Sequence, residues 1–423
     1  MKNIGILLLF ISVVLSTTNE IANVDIDITT AYPGIKMDIT VTSEQPLHSY
    51  AFYLPKSYEI SSLVFLNKET EKELTFTTHN ETEYTQFIVE FEDTPKISLT
   101  MAYIQINNYL PVPKFISQFD SQEFDYTLLL CPLTQSKTKS CQVLLHHYDK
   151  LKVISDIKHS TIKNTTAFGP FDDLSPMEVI ETTVHSNSLP HIKVNKMIHS
   201  VDLPTISSFV KVEDWFEDFT NEGAQLSSGF SRFDFQQNIG NYPNAIGFFE
   251  INLNTRASSI QYKDTSGNIS TSSLLLNDDN LVLIALPRYP LLTGWKTEFM
   301  IGYSLPNKVV ISKGKAIITL PSIKTAMAKE VIVRVYLPDN AKYLKVEGKN
   351  IENIEVKDCD AFLSFAGRKE VLITMKNINI MDEVQLTLYY EESVSGSINT
   401  FIVFGCYVLL FFLGFFLFIK YSA

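Results

Sequence analysis

The stretch VDIDITTAYPGIKMDITV, residues 24–41, decides the fold class. Val24, Ile26 and Ile28 alternate with Asp25 and Asp27; Met37, Ile39 and Val41 alternate with Asp38 and Thr40. A period of two puts apolar side chains on one face of an extended chain and polar ones on the other, the pattern of a half-buried antiparallel strand. Tyr32-Pro33-Gly34 supplies turn chemistry between the two runs. The alternation recurs at residues 99–101, 104–106, 354–356 and 384–388, with further turn signals at 265–267 and 338–340. Long amphipathic helices are scarce. EDWFEDFTNE, residues 213–222, fits a short helix or a strand equally well. The expected class is mainly β, of sandwich type.

Both ends read differently. Residues 1–16 carry Lys2, then an apolar run too short to span a bilayer, then small residues before a cleavage point after Ser16, so they are expected to be a signal peptide. Residues 398–419 carry no ionisable side chain and suffice for a bilayer core of roughly 30 Å. Lys420 behind them predicts a cytosolic tail of residues 420–423 and a lumenal or external bulk, a single-pass type I topology. Phe401, Phe404, Phe411, Phe415 and Phe418 fall along one side of that helix, with Gly405 and Gly414 as points of close approach. The helix either packs against other spans or simply anchors the chain. Lys and Arg number 35 against 47 Asp and Glu, an acidic balance without the electrostatic footprint of a nucleic-acid binder.

A faint internal repeat relates the segment starting at Phe52 to that starting at Phe249, and YIQINNYLP, ending at Pro111, to FMIGYSLP, ending at Pro306. The offsets are slightly under 200 residues and predict two related β-sandwich-like lumenal domains in tandem, residues 17–195 and 196–397, meeting in a proline-bearing stretch at 186–204.

Cys131 and Cys141 flank a polar, turn-like stretch and are either a disulfide or two free thiols; Cys359 has no evident partner and Cys406 lies in the span. Asn80, Asn164 and Asn268 head N-x-S/T sequons, each expected on a surface loop; Asn268, behind Gly267, has the best turn chemistry. No catalytic constellation emerges. Gly229-Phe-Ser-Arg-Phe233 lacks the second glycine of a nucleophile elbow. His146 and His147 are adjacent, so on a strand they point to opposite faces and share no metal; Asp172-Asp173 and Asp278-Asp279 diverge likewise and read as solvated turns. No metal site, cofactor site or catalytic residue is expected.

Two stretches are more specific. SSGFSRFDFQ (227–236) is followed by QYKDTSGNISTSSLLL and LPRYPLLTGWKTEFMIGYSLP within 261–306, ahead of one C-terminal span. In this order they resemble the ribophorin I family, a subunit of oligosaccharyltransferase in the endoplasmic reticulum membrane. Phe168-Gly-Pro-Phe171 and the turn at 109–113 fit the family more loosely. The resemblance implies an accessory subunit built from two related β-rich lumenal domains, with catalysis on a separate multi-span subunit that transfers oligosaccharide from dolichyl diphosphate to asparagine in N-x-S/T. It implies other subunits as partners, with nascent chain and translocon as further ones, and marks Asn268 to Ser272 as the family's sequon segment. Arg232 and Arg288, beside aromatic neighbours, fit an interface or a surface ion pair. Animal members carry a substantial cytosolic tail where this sequence stops at Ala423; a ribosome contact therefore has no visible basis, and Tyr421 stands where a dilysine retention signal would need lysine. The rival expectation is a type I cell-surface adhesion or receptor ectodomain of tandem β-sandwiches, with a membrane-bound hydrolase a distant third.

Overall fold

A computed structural model describes residues 17–148, 151–187, 189–205, 207–237, 243–276, 280–312, 314–359, 367–392 and 394–422. The expected signal peptide and Asp278-Asp279 lie outside the described residues. The chain is mainly β, with one long C-terminal helix, and divides into two compact units. The first comprises the chain up to Leu110 with Glu123–Ser188; the second takes Pro111–Gln122 and everything from Leu189.

The first unit is built from β1 (Thr17–Asp27), β2 (Gly34–Pro55), β3 (Ile60–Asn67), β4 (Phe76–Asn80), β5 (Tyr84–Gln105) and β6 (Tyr109–Val112). After β7 (Phe115–Ile116), which belongs to the second unit, follow β8 (Glu123–Leu129), β9 (Leu133–Thr134), β10 (Lys137–His146), β11 (Leu151–Val153), β12 (His159–Ile162), β13 (Thr165–Leu174) and β14 (Glu181–Asn187). The large sheet runs β12-β13-β10-β1-β2-β5-β3, with β4 on β5 and β9 on β2; a small sheet runs β11-β14-β8-β6. The β1–β10 pair is parallel. The residues that alternate in sequence supply the core: Val24, Ile26, Met37, Ile39, Leu99 and Met101 are all buried.

In the second unit come β15 (His191–Asp202), β16 (Phe209–Glu222), β17 (Gln225–Leu226), α1 (Arg232–Gln237), β18 (Ala245–Ile246), β19 (Phe249–Leu253), β20 (Ser258–Asp264), β21 (Gly267–Asn268), β22 (Ser273–Leu276), β23 (Leu281–Ala285), β24 (Leu291–Leu292) and β25 (Lys296–Pro306). They are followed by α2 (Asn307–Val310), β26 (Ile311–Ser312), β27 (Lys315–Thr319), β28 (Ser322–Ile323), β29 (Ala326–Tyr336), β30 (Lys342–Glu347), β31 (Ile351–Cys359), β32 (Arg368–Asn379), β33 (Gln385–Glu391) and α3 (Val394–Ser422). Its large sheet runs β31-β32-β29-β15-β16-β25-β20-β21, and one small sheet runs β30-β33-β27-β26. β15 pairs in parallel with β29. From β31 to β20 this repeats the order of the first unit, and β21 is added at the end. The ladders even close alike: Ile28 N–H donates to His146 O at 2.9 Å, and Leu203 N–H to Tyr336 O at 3.0 Å.

The segment EDWFEDFTNE is strand, within β16, hydrogen-bonded on both sides to β15 and β25. Its Phe216 and Phe219 join the aromatic cluster around Phe299. The expected match of the two Leu-Pro pairs does not hold. Leu305-Pro306 ends β25, whereas Leu110-Pro111 lies in β6, the strand after β5. Counting from the ladder ends, the register aligns Tyr303 with Tyr103 instead: Tyr303 faces Val212 and Tyr103 faces Ile35. Residues 402–419 of α3 form a helix long and apolar enough to cross a membrane.

Candidate functional site

The two units part company at one place. In the first, β2 and β5 each run 22 residues without a break, paired along most of their length. In the second, the corresponding paths are each cut in two. The first path is β16, then residues 223–248, then β19; the second is β23, then residues 286–295, then β25. The pairings identify the pieces. β19 pairs with β23 as the far half of β2 pairs with the near half of β5. β22 lies on β23 as β4 lies on β5, and β28 lies on β19 as β9 lies on β2. The conspicuous stretches 227–236 and 286–295 are the residues of these interruptions.

An interrupted ladder leaves backbone groups that must find other partners. Residues 111–122 supply many of them. β7 pairs in parallel with β17. The Gln118 carboxamide accepts from Ser231 N–H at 2.9 Å and donates back to Ser231 O at 3.4 Å. Gln122 Oε1 accepts from Ala224 N–H at 2.6 Å and from the Thr293 hydroxyl at 3.2 Å. Buried Asn244 donates to Ser117 O and Asp120 O, and buried Asn221 donates to Asn244 O and Leu291 O, tying both interruptions to the strap. β18 pairs with β24. Phe230 packs edge-on against Trp295, ring centroids 5.3 Å apart. Gly223 is required here: a Cβ would stand 2.1 Å from Thr293 Oγ1.

These segments expose aromatic rings and two arginines. Phe233 is 68% exposed and Phe115 60%; Phe119, Phe248 and Tyr289 are also exposed, as are Arg232 and Arg288. Solvent-facing aromatics with arginine are the composition of an interface centre rather than of an ordinary surface. Arg288 makes a two-pronged ion pair with Asp264, Nε to Oδ2 at 2.7 Å and Nη2 to Oδ1 at 2.9 Å. That hydrogen-bonded guanidinium holds the Asp264 carboxyl below its usual range. The pair borders a shallow groove of about 330 Å³ with Tyr289 and Trp295.

The other residues singled out by sequence scatter. Asn80 ends β4, Asn164 sits in the β12–β13 turn, and Asn268 is at the β20–β21 hairpin; all three are exposed. Cys131 and Cys141 are both buried in the first unit as free thiols. They are close neighbours: a hydrogen bond with Cys141, then burial, pushes the Cys131 thiol up. His146 faces outward near Asp25, while His147 points inward to Thr166. Asp172 accepts from Ser140, and Asp173 pairs with Lys137. Trp295 packs against the core formed by Phe299, Ile301 and Tyr303.

A ribophorin I family model matches residues 17–419. The chain belongs to the ribophorin I family. Among curated relatives it is 30% identical to dolichyl-diphosphooligosaccharide–protein glycosyltransferase subunit 1A of Arabidopsis thaliana, over 53% of this chain and 38% of that one. Identity is 28% to subunit 1 of Caenorhabditis elegans, over 66% and 50%, and 25% to Arabidopsis subunit 1B, over 70% and 65%. The chain thus spans between about two-fifths and two-thirds of the length of these relatives. Among solved structures, native yeast LTA4 hydrolase shares 6% identity at a TM-score of 0.29, over 44% of this chain and 31% of that one, a likeness too slight to bear on activity.

Proposed function

We propose that this ribophorin I family member is a non-catalytic accessory subunit of oligosaccharyltransferase, the complex that moves an oligosaccharide from dolichyl diphosphate to asparagine in N-x-S/T. Family membership over residues 17–419 carries the reading, supported by relatives named as subunit 1 of that glycosyltransferase. On it, the chain resides in the endoplasmic reticulum membrane with one type I span and its bulk in the lumen. Catalysis belongs to a multi-span partner. The aromatic and arginine-bearing surface of residues 111–122, 227–237 and 286–295 is the face that meets another subunit or guides the nascent chain. The shared strand order supports two diverged copies of one domain, residues 17–195 and 196–397, with the boundary in the stretch 186–204.

The deciding experiment is recovery of the tagged chain from membranes in mild detergent, with partner identification and a glycan-transfer assay on the eluate. Co-recovery of a multi-span subunit and transfer activity is expected; a chain that comes out alone, from the cell surface, overturns the reading. The same preparation tests two dependent claims. Asn80, Asn164 and Asn268 carry glycans, read as stepwise mass loss on deglycosylation. Cys131 and Cys141 are oxidised to a disulfide in the lumen, read as resistance of both to alkylation until reduction.

A further inference from the structure

A cavity of about 470 Å³ lies within the second unit, lined from β15, β16 and β25 on one side and from β19, β27 and β28 on the other. His199 is on its floor, 1% exposed, and Asp214 behind it is fully buried. The His199 ring meets Asp214 Oδ1 through Nδ1 at 2.5 Å. Nε2 is then the ring's remaining polar atom.

The first unit shows what this site would be without a task. Four residues back from Ile28 is Val24, and four back from Leu203 is His199, the two ladders closing on equivalent bonds. Val24 faces Met37; His199 faces Asp214. One copy of the sheet therefore uses an apolar pair where the other buries two ionisable groups. A buried ionisable pair is generally no more stabilising than apolar side chains of similar volume. The pair coincides with the cavity.

The chemistry of the walls narrows the ligand. The rim carries Asn254, Asn280, Thr319, Gln385 and Glu383, and among the described residues no lysine or arginine lines the cavity. These walls disfavour phosphates and acidic peptides, which need cations or clustered N–H donors. β15, β16, β19, β25 and β27 are each paired on both sides, and β28, which ends its sheet, is two residues long, too short an edge for an extended peptide. Polar recognition runs through carboxamides, hydroxyls, a carboxylate and an imidazole, beside apolar walls that include Val201, Val212, Leu253, Leu305 and Ile318, a set that matches a compact ligand with several hydroxyls and an apolar face. The volume is ordinary for a small-molecule site. We propose that this cavity binds a neutral sugar unit of an oligosaccharide. The site is separate from the interruption surface and stands or falls separately from it.

The test is ligand-observed NMR with the full chain in detergent. The probes are a free neutral mannose oligosaccharide, a glycopeptide carrying it, and the same peptide without glycan. Saturation transfer to the sugar protons is expected from the first two probes and none from the third. Equal transfer from the first two means that the glycan is read whatever carries it; transfer from the glycopeptide alone restricts the source to glycan already on protein. The double variant His199→Val, Asp214→Met installs the apolar pair of the first unit, and the rim variant Gln385→Ala leaves the core untouched. Each should weaken sugar binding by at least about tenfold, with the melting transition retained in the rim variant. Absence of sugar binding, binding unchanged in both variants, or binding of the bare peptide overturns the proposal.

Discussion

Set side by side, the two units use one strand order to different ends. In the first, β2 and β5 cross the unit as continuous strands, and their ladder shifts register between Thr42 and Ser49 but resumes to Pro55. In the second, the same paths are cut at residues 223–248 and 286–295; carboxamides of Gln118, Gln122 and Asn221 meet backbone groups of the cuts, and that of Asn244 meets carbonyls of residues 111–122. A continuous ladder is self-sufficient and offers a partner little. A cut ladder can present loops, a short helix and exposed aromatics, provided distant side chains replace the lost bonds. The difference locates specialisation in the interruptions and architecture in the shared order.

If aromatic packing carries the second unit across its cuts, Phe299 is the residue to remove. It stacks on Phe216 with ring centroids 4.7 Å apart and on Phe249 at 5.6 Å, joining β25 to β16 and to β19 beyond the cut. Phe299→Ala should cost about 3–5 kcal/mol. In denaturant, the transition of the second unit should move and that of the first should stay. A single merged transition shifted as a whole would show that the units do not unfold independently.

Gly223→Ala probes the strap. The new Cβ would press on the Thr293 hydroxyl and the Gln122 carboxamide, both of which hold residues 111–122 in place. Overpacking of this kind costs about 1–3 kcal/mol. Limited proteolysis should then cut within residues 111–122 while the sheets remain protected; an unchanged digest would mean the strap is held from elsewhere.

Two histidines give the units opposite pH responses. Burial pushes His191 in the second unit down to about 3 from 6.5. A base depressed in the folded state leaves stability intact above 6.5 and removes it as pH falls, by roughly 2 kcal/mol at pH 5. In the first unit, burial lowers His185, but its hydrogen bonds at 2.7 Å to Asp125 and Glu123 outweigh it and raise the net value. Its stabilisation is full below 6.5 and is lost as pH rises through the raised pKa. Denaturation at pH 5, 6 and 7.5 should weaken the second unit first on the acid side, while the His185 contribution fades on the alkaline side. Parallel responses of both units would remove this distinction.

The strands were legible where alternation was unbroken: residues 24–28, 37–41, 99–106 and 384–388 fall in β1, β2, β5 and β33, allowing a residue at a boundary, while 354–356 falls in β31 with Ile354 and Val356 exposed rather than on a buried face. β16 was ambiguous because its inward positions read Val210, Val212, Asp214, Phe216, with a carboxylate where the pattern calls for a hydrocarbon. That break was itself a signal. An inward Asp214 beside an inward His199 on the next strand points to a buried polar pair, and sequence reading passed over it. The strap could not be read at all. Gln118 and Ser231 are 113 residues apart, and their bonds run from side chain to backbone, which leaves no periodicity in sequence. The two motifs at 227–236 and 286–295 stood out by resemblance, but not as the two halves of one surface.

The smallest effect on stability should come from the residue with the largest effect on assembly. Phe233 is 68% exposed on α1, a six-residue helix with no buried residue. Phe233→Ala should therefore change unfolding free energy by less than about 0.5 kcal/mol, as expected for a surface position with no packing role. An aromatic at the centre of a protein interface commonly costs 2 kcal/mol or more when truncated, about thirtyfold in affinity. Recovery of partner subunits with the variant should accordingly fall while its melting curve overlays that of the parent. Ile162→Ala supplies the control, since Ile162 is 75% exposed in the unit whose long strands are uncut. If both variants keep their partners, assembly does not depend on the interruptions, and the strap serves only to replace lost hydrogen bonds. If both lose them, the contact surface is broader than the cuts and the division of labour between the two units is weaker than their strand orders imply.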